Sequence, residues 1–276
     1  MIRTLKKLLS TKVNYNSHLD DISTPDAAAV DAYYDRENEL YLKTYGSILQ
    51  ASRPASDEDF IDYLAASMGV KDGMKIIDGG CGVCGVSIPF ARKFRVHIDA
   101  ITINRKQKEI ADSNISALAL ADRVQVTHGD FSHLDHFYEP ESYDLVFFLE
   151  ALGYAKDLQQ VLTGANRMLK PGGCIYIKDF FPVPIVIPQH QSIQKYFLNT
   201  VREEYVYRVM DLLQLVQNLR ALGLYVDFIR PPDLVEDFSR AAMLEQVDAK
   251  HNIYTKALHN PFRVFEPLEL RFRKIF

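Results

Sequence analysis

The stretch Ile76-Ile77-Asp78-Gly79-Gly80-Cys81-Gly82-Val83-Cys84-Gly85 decides the fold. A short apolar strand ends on a carboxylate and runs directly into a turn dense in glycine. Glycine is used at such a turn because the backbone must bend sharply at positive φ and lie close to a ligand with no Cβ in between. The stretch therefore predicts the first strand and ligand-binding turn of an α/β sheet.

Gly80, Gly82 and Gly85 also spell G-x-G-x-x-G, the turn in which a helix N-terminus holds the pyrophosphate of a dinucleotide. Asp78 argues against that ligand, because a carboxylate at the mouth of the turn repels a pyrophosphate. It suits a ligand carrying an ammonium and a sulfonium, as S-adenosylmethionine does.

Working outward, helical and strand patterns alternate. A helix is expected over Val86 to Lys93, a strand over Val96 to Thr102, and a helix from about Arg105 to Leu120. A strand over Val124 to Thr127 closes on Gly129-Asp130-Phe131, and the apolar strand Tyr143 to Leu149 closes on Glu150. A helix over Leu158 to Leu169 stops at Lys170-Pro171-Gly172-Gly173, which leads into the strand Cys174 to Asp179. This order predicts a doubly wound parallel sheet that binds ligands at the carboxyl ends of its strands, where Asp78, Thr102, Asp130 and Glu150 all fall.

With these segments in hand, the chain resembles the class I S-adenosylmethionine-dependent methyltransferases over roughly residues 60 to 275. Asp78-Gly79-Gly80-Cys81-Gly82, Gly129-Asp130-Phe131 and Leu169-Lys170-Pro171-Gly172-Gly173 are similar to that family's first, third and post-fourth motifs. The resemblance implies a seven-stranded Rossmann-like sheet and S-adenosylmethionine as cofactor. It implies Gly80 and Gly82 beside the methionine moiety, Cys81 between them at the cofactor, Asp78 at its amino group, and Asp130 with Phe131 at the adenine. Many members have glycine where Cys84 stands.

Most members end the second strand on an acid that holds the ribose. Here Ala100-Ile101-Thr102-Ile103-Asn104 is followed by Gln107, which resembles the sterol, tocopherol and geranyl diphosphate C-methyltransferase branch. Thr102 and Gln107 then stand in for the acid, with Asn104 also expected at the cofactor and Asp99 ranked behind them because period-two counting turns it to another face. The segment Tyr33 to Gly46 resembles the aromatic N-terminal element with which that branch caps its cofactor, so Tyr33 and Tyr41 are expected there. An amphipathic helix whose tyrosines pack on the core is the competing reading.

Glu150, followed by Ala151-Leu152-Gly153-Tyr154, lies where the isoprenoid C-methyltransferases place a glutamate beside the transferable methyl. An alkene nucleophile leaves a carbocation, and an anion about 4 Å from it is worth roughly 4 kcal/mol at an effective dielectric near 20. Aromatic faces add roughly 0.5 to 2 kcal/mol each. Glu150 and Tyr154 are therefore the expected catalytic residues. The expected aromatic wall draws on Tyr33, Tyr34, Tyr41, Tyr154, Phe180, Phe181, Tyr196 and Phe197. Ordering of a loop or contact with the cofactor is the alternative role for Glu150.

The 276 residues suffice for one sheet domain with an elaborated cap. A net charge of −4 gives no support for a nucleic-acid substrate. With 16 Phe, 15 Tyr and no Trp, any cation-stabilising wall is built from the first two. Three cysteines suggest a reducing, cytoplasmic setting. Cys81-Gly82-Val83-Cys84 is formally C-x-x-C, but no second ligand pair follows at zinc spacing. No metal ligands stand out, though a diphosphate substrate would call for Mg2+ or for clustered cations drawn from Arg36, Lys43, Arg53, Lys195, Arg202 and Arg208. No segment is apolar for long enough to insert stably in a membrane. The basic start, Met1 to Lys12, is expected to fray, or else to touch an anionic surface or a partner chain, a homo-oligomer included.

The expected organisation is a helical N-terminal cap over 1–60 and an S-adenosylmethionine-binding domain over 61–276. Lid insertions are expected near 181–205, with a helix around Ile193 to Tyr205, and near 231–259. A helix over Val209 to Leu222, a strand over Tyr225 to Ile229 and an antiparallel strand over Phe262 to Phe272 complete the sheet. The function expected is C-methylation of an isoprenoid or prenylated small molecule through a carbocation, in terpenoid or other secondary metabolism. O- or N-methylation of a small natural product, with Glu150 or His190 as general base, is the alternative, and a cofactor-binding protein without catalysis is a third class.

Overall fold

Alternation of apolar residues along each strand gives the sheet two buried faces. Ile76 and Phe147 pack on one side with Phe60, Leu64, Phe90 and Ile115. Ile77 and Phe148 pack on the other with Val161, Leu162, Met168, Leu215 and Leu219. Period-two geometry requires neighbouring residues to part in this way. The computed structural model describes residues 25–185, 187–237 and 264–276.

Seven strands, β1 (Lys75–Gly79), β2 (His97–Thr102), β3 (Val124–His128), β4 (Tyr143–Leu149), β5 (Leu169–Pro182), β6 (Leu224–Arg230) and β7 (Phe265–Lys274), lie in the order β3-β2-β1-β4-β5-β7-β6. β7 runs antiparallel to both neighbours, and the pairs from β3 to β5 are parallel. The sheet order reverses beside β1, which is the ligand crevice of doubly wound folds.

The helices begin on side chains that cap their free N–H groups. Asp26 accepts from Ala29 at the start of α1 (Ala27–Tyr45), and Ser56 from Asp59 at the start of α2 (Asp57–Met68). α3 (Ser87–Lys93) lacks such a cap. Asn104 caps α4 (Arg105–Ala117), Asp157 caps α5 (Leu158–Met168), and Asp211 caps α7 (Leu212–Ala221). α6 (Pro188–Tyr205) opens on a proline, whose missing N–H has no partner to lose there.

The structure corrects several sequence boundaries. β5 absorbs the Lys170-Pro171-Gly172-Gly173 break as an irregularity, because Leu169 already pairs with Tyr143. α7 starts at Leu212 rather than Val209, where the Asp211 cap fixes it. A division at residue 60 falls inside α2, whose Phe60 and Leu64 belong to the sheet core. Residues 231–237 carry no helix. The rest of that expected lid, the basic start of the chain with its oligomer contact, and Phe262 lie outside the described residues. The segment expected near 181–205 contains α6, whose Leu198, Val201 and Tyr205 pack with Tyr33 of α1, Phe180 and Phe265 in a third apolar cluster.

Candidate active site

The turn after β1 adopts the backbone that its glycines permit. Gly80 has φ +89° and Gly82 φ +55°. A Cβ on Gly80 would stand 2.7 Å from the Cβ of Ala151. Gly85 serves another purpose: a Cβ there would lie 2.0 Å from the carbonyl oxygen of Ser47, so its bareness admits the loop from Gly46 to Arg53. Cys84 holds φ +62°, a left-handed conformation that glycine adopts more easily.

A cleft of about 930 Å³ opens at the carboxyl ends of β1 to β4. Asp78, Gly80, Cys81 and Gly82 line it from the first turn, Thr102 and Gln107 from the second, Asp130 and Phe131 from the third, and Glu150, Ala151 and Tyr154 from the fourth. Val30 and Tyr34 of α1 and residues Ser47 to Gln50 cover it.

Asp78 is buried and accepts from the Ser87 hydroxyl at 2.6 Å. Burial pushes its carboxyl up to about 7, against the pull of that hydrogen bond. An acid strained in this way fits a cationic group, whose approach would restore its charge. Together with the bare turn at Gly80 and Gly82, this buried acceptor fits the methionine end of S-adenosylmethionine.

Not every residue expected at the cofactor faces this cleft. Asn104 is buried outside it: its Oδ1 accepts from the Gln107 amide at 3.0 Å and from Asn38 at 2.9 Å, and its Nδ2 donates to Asp31 at 2.8 Å and Asp35 at 3.0 Å. Its polar atoms fasten α1 to the start of α4. Thr102 Oγ1 donates to Gln107 Oε1 at 2.8 Å, and Gln107 Nε2 to Asn38 Oδ1 at 2.9 Å, so the same network braces both residues at the cleft wall. Asp99 is turned to the far end of the sheet, where it accepts from the Tyr143 hydroxyl at 2.7 Å. Tyr33 lies behind the wall, bonded through its hydroxyl to that of Tyr41. His190 lines neither cavity.

A second cavity of about 540 Å³ adjoins the first, and Tyr34, Leu49, Gln50, Glu150 and Tyr154 line both. Its remaining walls are Tyr41, Tyr45, Ala51, Phe180, Tyr205 and Tyr207. Tyr34 donates to Tyr154 at 2.8 Å, and Tyr154 meets Tyr207 edge to face at 4.7 Å. Burial raises Tyr34 to about 12 and lifts Tyr154 well above the ordinary phenol, so both are neutral at pH 7. Tyr45, Tyr205 and Tyr207 were absent from the expected wall. Tyr45 ends α1, while Tyr205 and Tyr207 lie together at the end of α6, and no local pattern marks them. Tyr196 instead points to solvent, and Phe181 packs in the sheet core.

Glu150 has φ +51°, a conformation costing about 1–3 kcal/mol for a residue with a side chain, and its own N–H fixes it by donating to the Lys178 carbonyl at 2.7 Å. Its carboxylate accepts from the Ala51 amide at 2.8 Å, the Ser52 amide at 3.1 Å and the Lys178 ammonium at 2.8 Å. Lys178 is fully buried, and its Nζ lies 5.4 Å from the centre of the Phe60 ring, which also carries the Arg53 guanidinium at 5.5 Å. The glutamate thus anchors the loop that covers both cavities. Among the described residues, no group of three or more His, Cys, Asp or Glu is arranged to hold a metal ion, and no helix is long and apolar enough to cross a membrane.

Comparisons with known proteins agree with this geometry. The sterol 24-C-methyltransferase ERG6A of Gibberella zeae is 32% identical over 148 residues, which cover 51% of this chain and 38% of that protein. The chain spans less than half the length of the curated relatives it matches. The [4+2]-cyclase SpnF superposes with a TM-score of 0.76 at 19% identity, covering 92% of this chain and 97% of the other. The geranyl diphosphate C-methyltransferase of Streptomyces coelicolor A3(2), solved with Mg2+, geranyl diphosphate and S-adenosyl-L-homocysteine, superposes with a TM-score of 0.68 at 14% identity, covering 99% and 97%. At such identities these structures speak for the fold alone. A family model described as a methyltransferase domain matches residues 70–218, more than half of the sequence, and the chain belongs to that family, the class I S-adenosylmethionine-dependent methyltransferases.

Proposed function

We propose that this protein transfers a methyl group from S-adenosylmethionine to an alkene carbon of an isoprenoid or prenylated small molecule. The observation that carries the reading is the tyrosine-walled chamber sharing Tyr34, Glu150 and Tyr154 with the cofactor cleft. The cofactor supplies an electrophilic methyl on a sulfonium. Asp78 would hold its ammonium, Asp130 and Phe131 its adenine, and Thr102 and Gln107 its ribose.

Methyl transfer is an in-line displacement governed mainly by alignment. The shared wall is where an acceptor in the chamber would meet that methyl. Neutral phenol rings suit a carbocation because they stabilise it through their faces without capturing it. Glu150 adds negative charge at the same boundary, tempered by Lys178. Because its oxygens already accept from Ala51, Ser52 and Lys178, we assign it the holding of the loop and an electrostatic part, rather than proton removal. Similarity to the sterol 24-C-methyltransferase of Gibberella zeae supports a carbon acceptor. The name of the Streptomyces relative prompts the test of a diphosphate acceptor with Mg2+.

The deciding experiment incubates the protein with methyl-labelled S-adenosylmethionine and a panel of prenyl diphosphates, prenylated aromatics and sterols with side-chain double bonds, with and without magnesium. Mass spectrometry should find the label on carbon. Label found only on oxygen or nitrogen would replace this reading with O- or N-methylation.

A further inference from the structure

Asp179 is a buried carboxylate that the reaction above leaves idle. It follows Lys178 near the carboxyl end of β5 and is 1% exposed. Its Oδ1 accepts from the Phe180 amide at 2.8 Å and from the Tyr207 hydroxyl. Its Oδ2 meets no hydrogen-bond donor among the described residues. An ionised carboxylate with one oxygen orphaned in the interior is costly, so such a group usually serves a purpose beyond packing.

Tyr207 connects this acid to the chamber, whose wall it forms. The backbone makes room for it: a Cβ on Gly153 would stand 2.3 Å from the Tyr207 ring, and the Gly153 carbonyl accepts from the Arg208 amide at 3.1 Å. Burial raises Asp179 to about 7, with Glu150 adding to the rise while Tyr207, the Phe180 amide and Lys178 oppose it. An acid poised near neutrality one hydrogen bond from a cavity has the properties of a proton acceptor.

We propose that Tyr207 and Asp179 form the acid–base dyad of the chamber, with Tyr207 touching the acceptor and Asp179 acting through it. This rests on the chamber being the acceptor site. As the methylated cation loses a proton, a C–H bond breaks and its electron pair forms the new double bond. The proton passes to the Tyr207 oxygen while the phenolic proton moves to Asp179 Oδ1. Tyr207 ends as a phenol and Asp179 as a carboxylic acid, which later releases its proton. Glu150 keeps its three hydrogen bonds throughout.

The test uses the full chain saturated with S-adenosylhomocysteine, whose ammonium keeps Asp78 ionised. Trimethyl(3-methylbut-2-enyl)ammonium and its neutral carbon isostere are titrated on both sides of pH 7. The ionisable groups around the dyad are Glu150 at the end of β4, Lys178 beside Asp179 in β5, Arg208 next to Tyr207, and Tyr34, Tyr41, Tyr45, Tyr154 and Tyr205 in the chamber wall. Affinity for the cation should rise about tenfold as pH increases through the Asp179 transition, while that for the isostere stays flat. D179N should abolish the rise. Y207F removes a donor to the carboxylate and should move the transition to higher pH; with a turned-over prenyl acceptor it should also lower kcat with KM unchanged, a split that a purely structural role would not produce. A flat wild-type profile with both probes bound, an unaltered rise in D179N, or an unmoved transition in Y207F would overturn the dyad alone. Failure of both probes to bind would overturn the chamber as acceptor site and the dyad with it. Label on oxygen or nitrogen in the methyl-transfer assay would overturn the C–H step, while the pH profiles would still report the Tyr207–Asp179 pair at the chamber.

Discussion

Glu150 and Lys178 are joined twice: the Glu150 N–H donates to the Lys178 carbonyl at 2.7 Å, and the Lys178 ammonium donates to the Glu150 carboxylate at 2.8 Å. One contact fixes the backbone where β4 leaves the sheet, and the other neutralises a lysine with no exposed surface. The same carboxylate holds the Ala51 and Ser52 amides, so the pair links the sheet rim to the loop that roofs the cleft.

Glu150→Gln should therefore weaken cofactor binding as well as turnover. An amide places an N–H where the carboxylate accepted, so either Lys178 or the 51–52 amides face a donor. We expect a stability loss of about 3 kcal/mol or more in urea melts and at least about tenfold weaker S-adenosylhomocysteine binding. Lys178→Met should cost a similar amount, and the double variant less than the sum of the two. Full cofactor affinity in Glu150→Gln would separate the loop from the glutamate.

Cofactor binding should depend on Asp78 ionisation. Its folded-state acidity is weakened by burial to about 7, above the ordinary carboxyl value of 3.8. The stability of the unliganded protein is thus fully favoured by this group below pH 3.8 and declines as pH rises through 7. A bound ammonium favours the carboxylate, so binding at about pH 6 should release close to one proton and at about pH 8 almost none. Calorimetry in buffers of differing ionisation enthalpy checks the sign. Asp78→Asn should remove the proton release and lower affinity at least about tenfold.

Gly85→Ala should dislodge the roofing loop, because the new methyl meets the Ser47 backbone rather than a yielding side chain. We expect a loss of about 3 kcal/mol, at the upper end of overpacking costs, and impaired cofactor binding. Gly164→Ala in α5 is the control. Its nearest neighbour would be 4.0 Å away, so it should gain about 0.5–1 kcal/mol in thermal melts.

Tyr154 should act through its ring more than its hydroxyl. Tyr154→Phe removes a 2.8 Å hydrogen bond with Tyr34 and should cost about 1 kcal/mol of stability. Tyr154→Leu should lower kcat a further tenfold or so if the chamber holds a cation. Equal turnover in Phe and Leu variants would point to an acceptor that develops no positive charge.

The sequence by itself determined the sheet and the rim. Strand periodicity, helix caps and the Asp78-to-Gly85 turn are local properties, so the strands appear close to where they were expected, and Asp78, Gly80, Gly82, Thr102, Gln107, Asp130, Phe131 and Glu150 line one cleft. Boundaries slipped where pairing overrode local preference, as at Leu169, which joins Tyr143 across the break at Gly172. Only tertiary structure decided what Asn104, Glu150, Gly85 and Asp179 do. Asn104 bonds α1, Glu150 holds amides from 98 and 99 residues away in sequence, Gly85 yields space to Ser47, and Asp179 reaches the chamber through Tyr207, 28 residues on. The periodicity of a chain records which face of an element is buried, whereas the partner of a buried polar atom is set by how distant segments fold over one another.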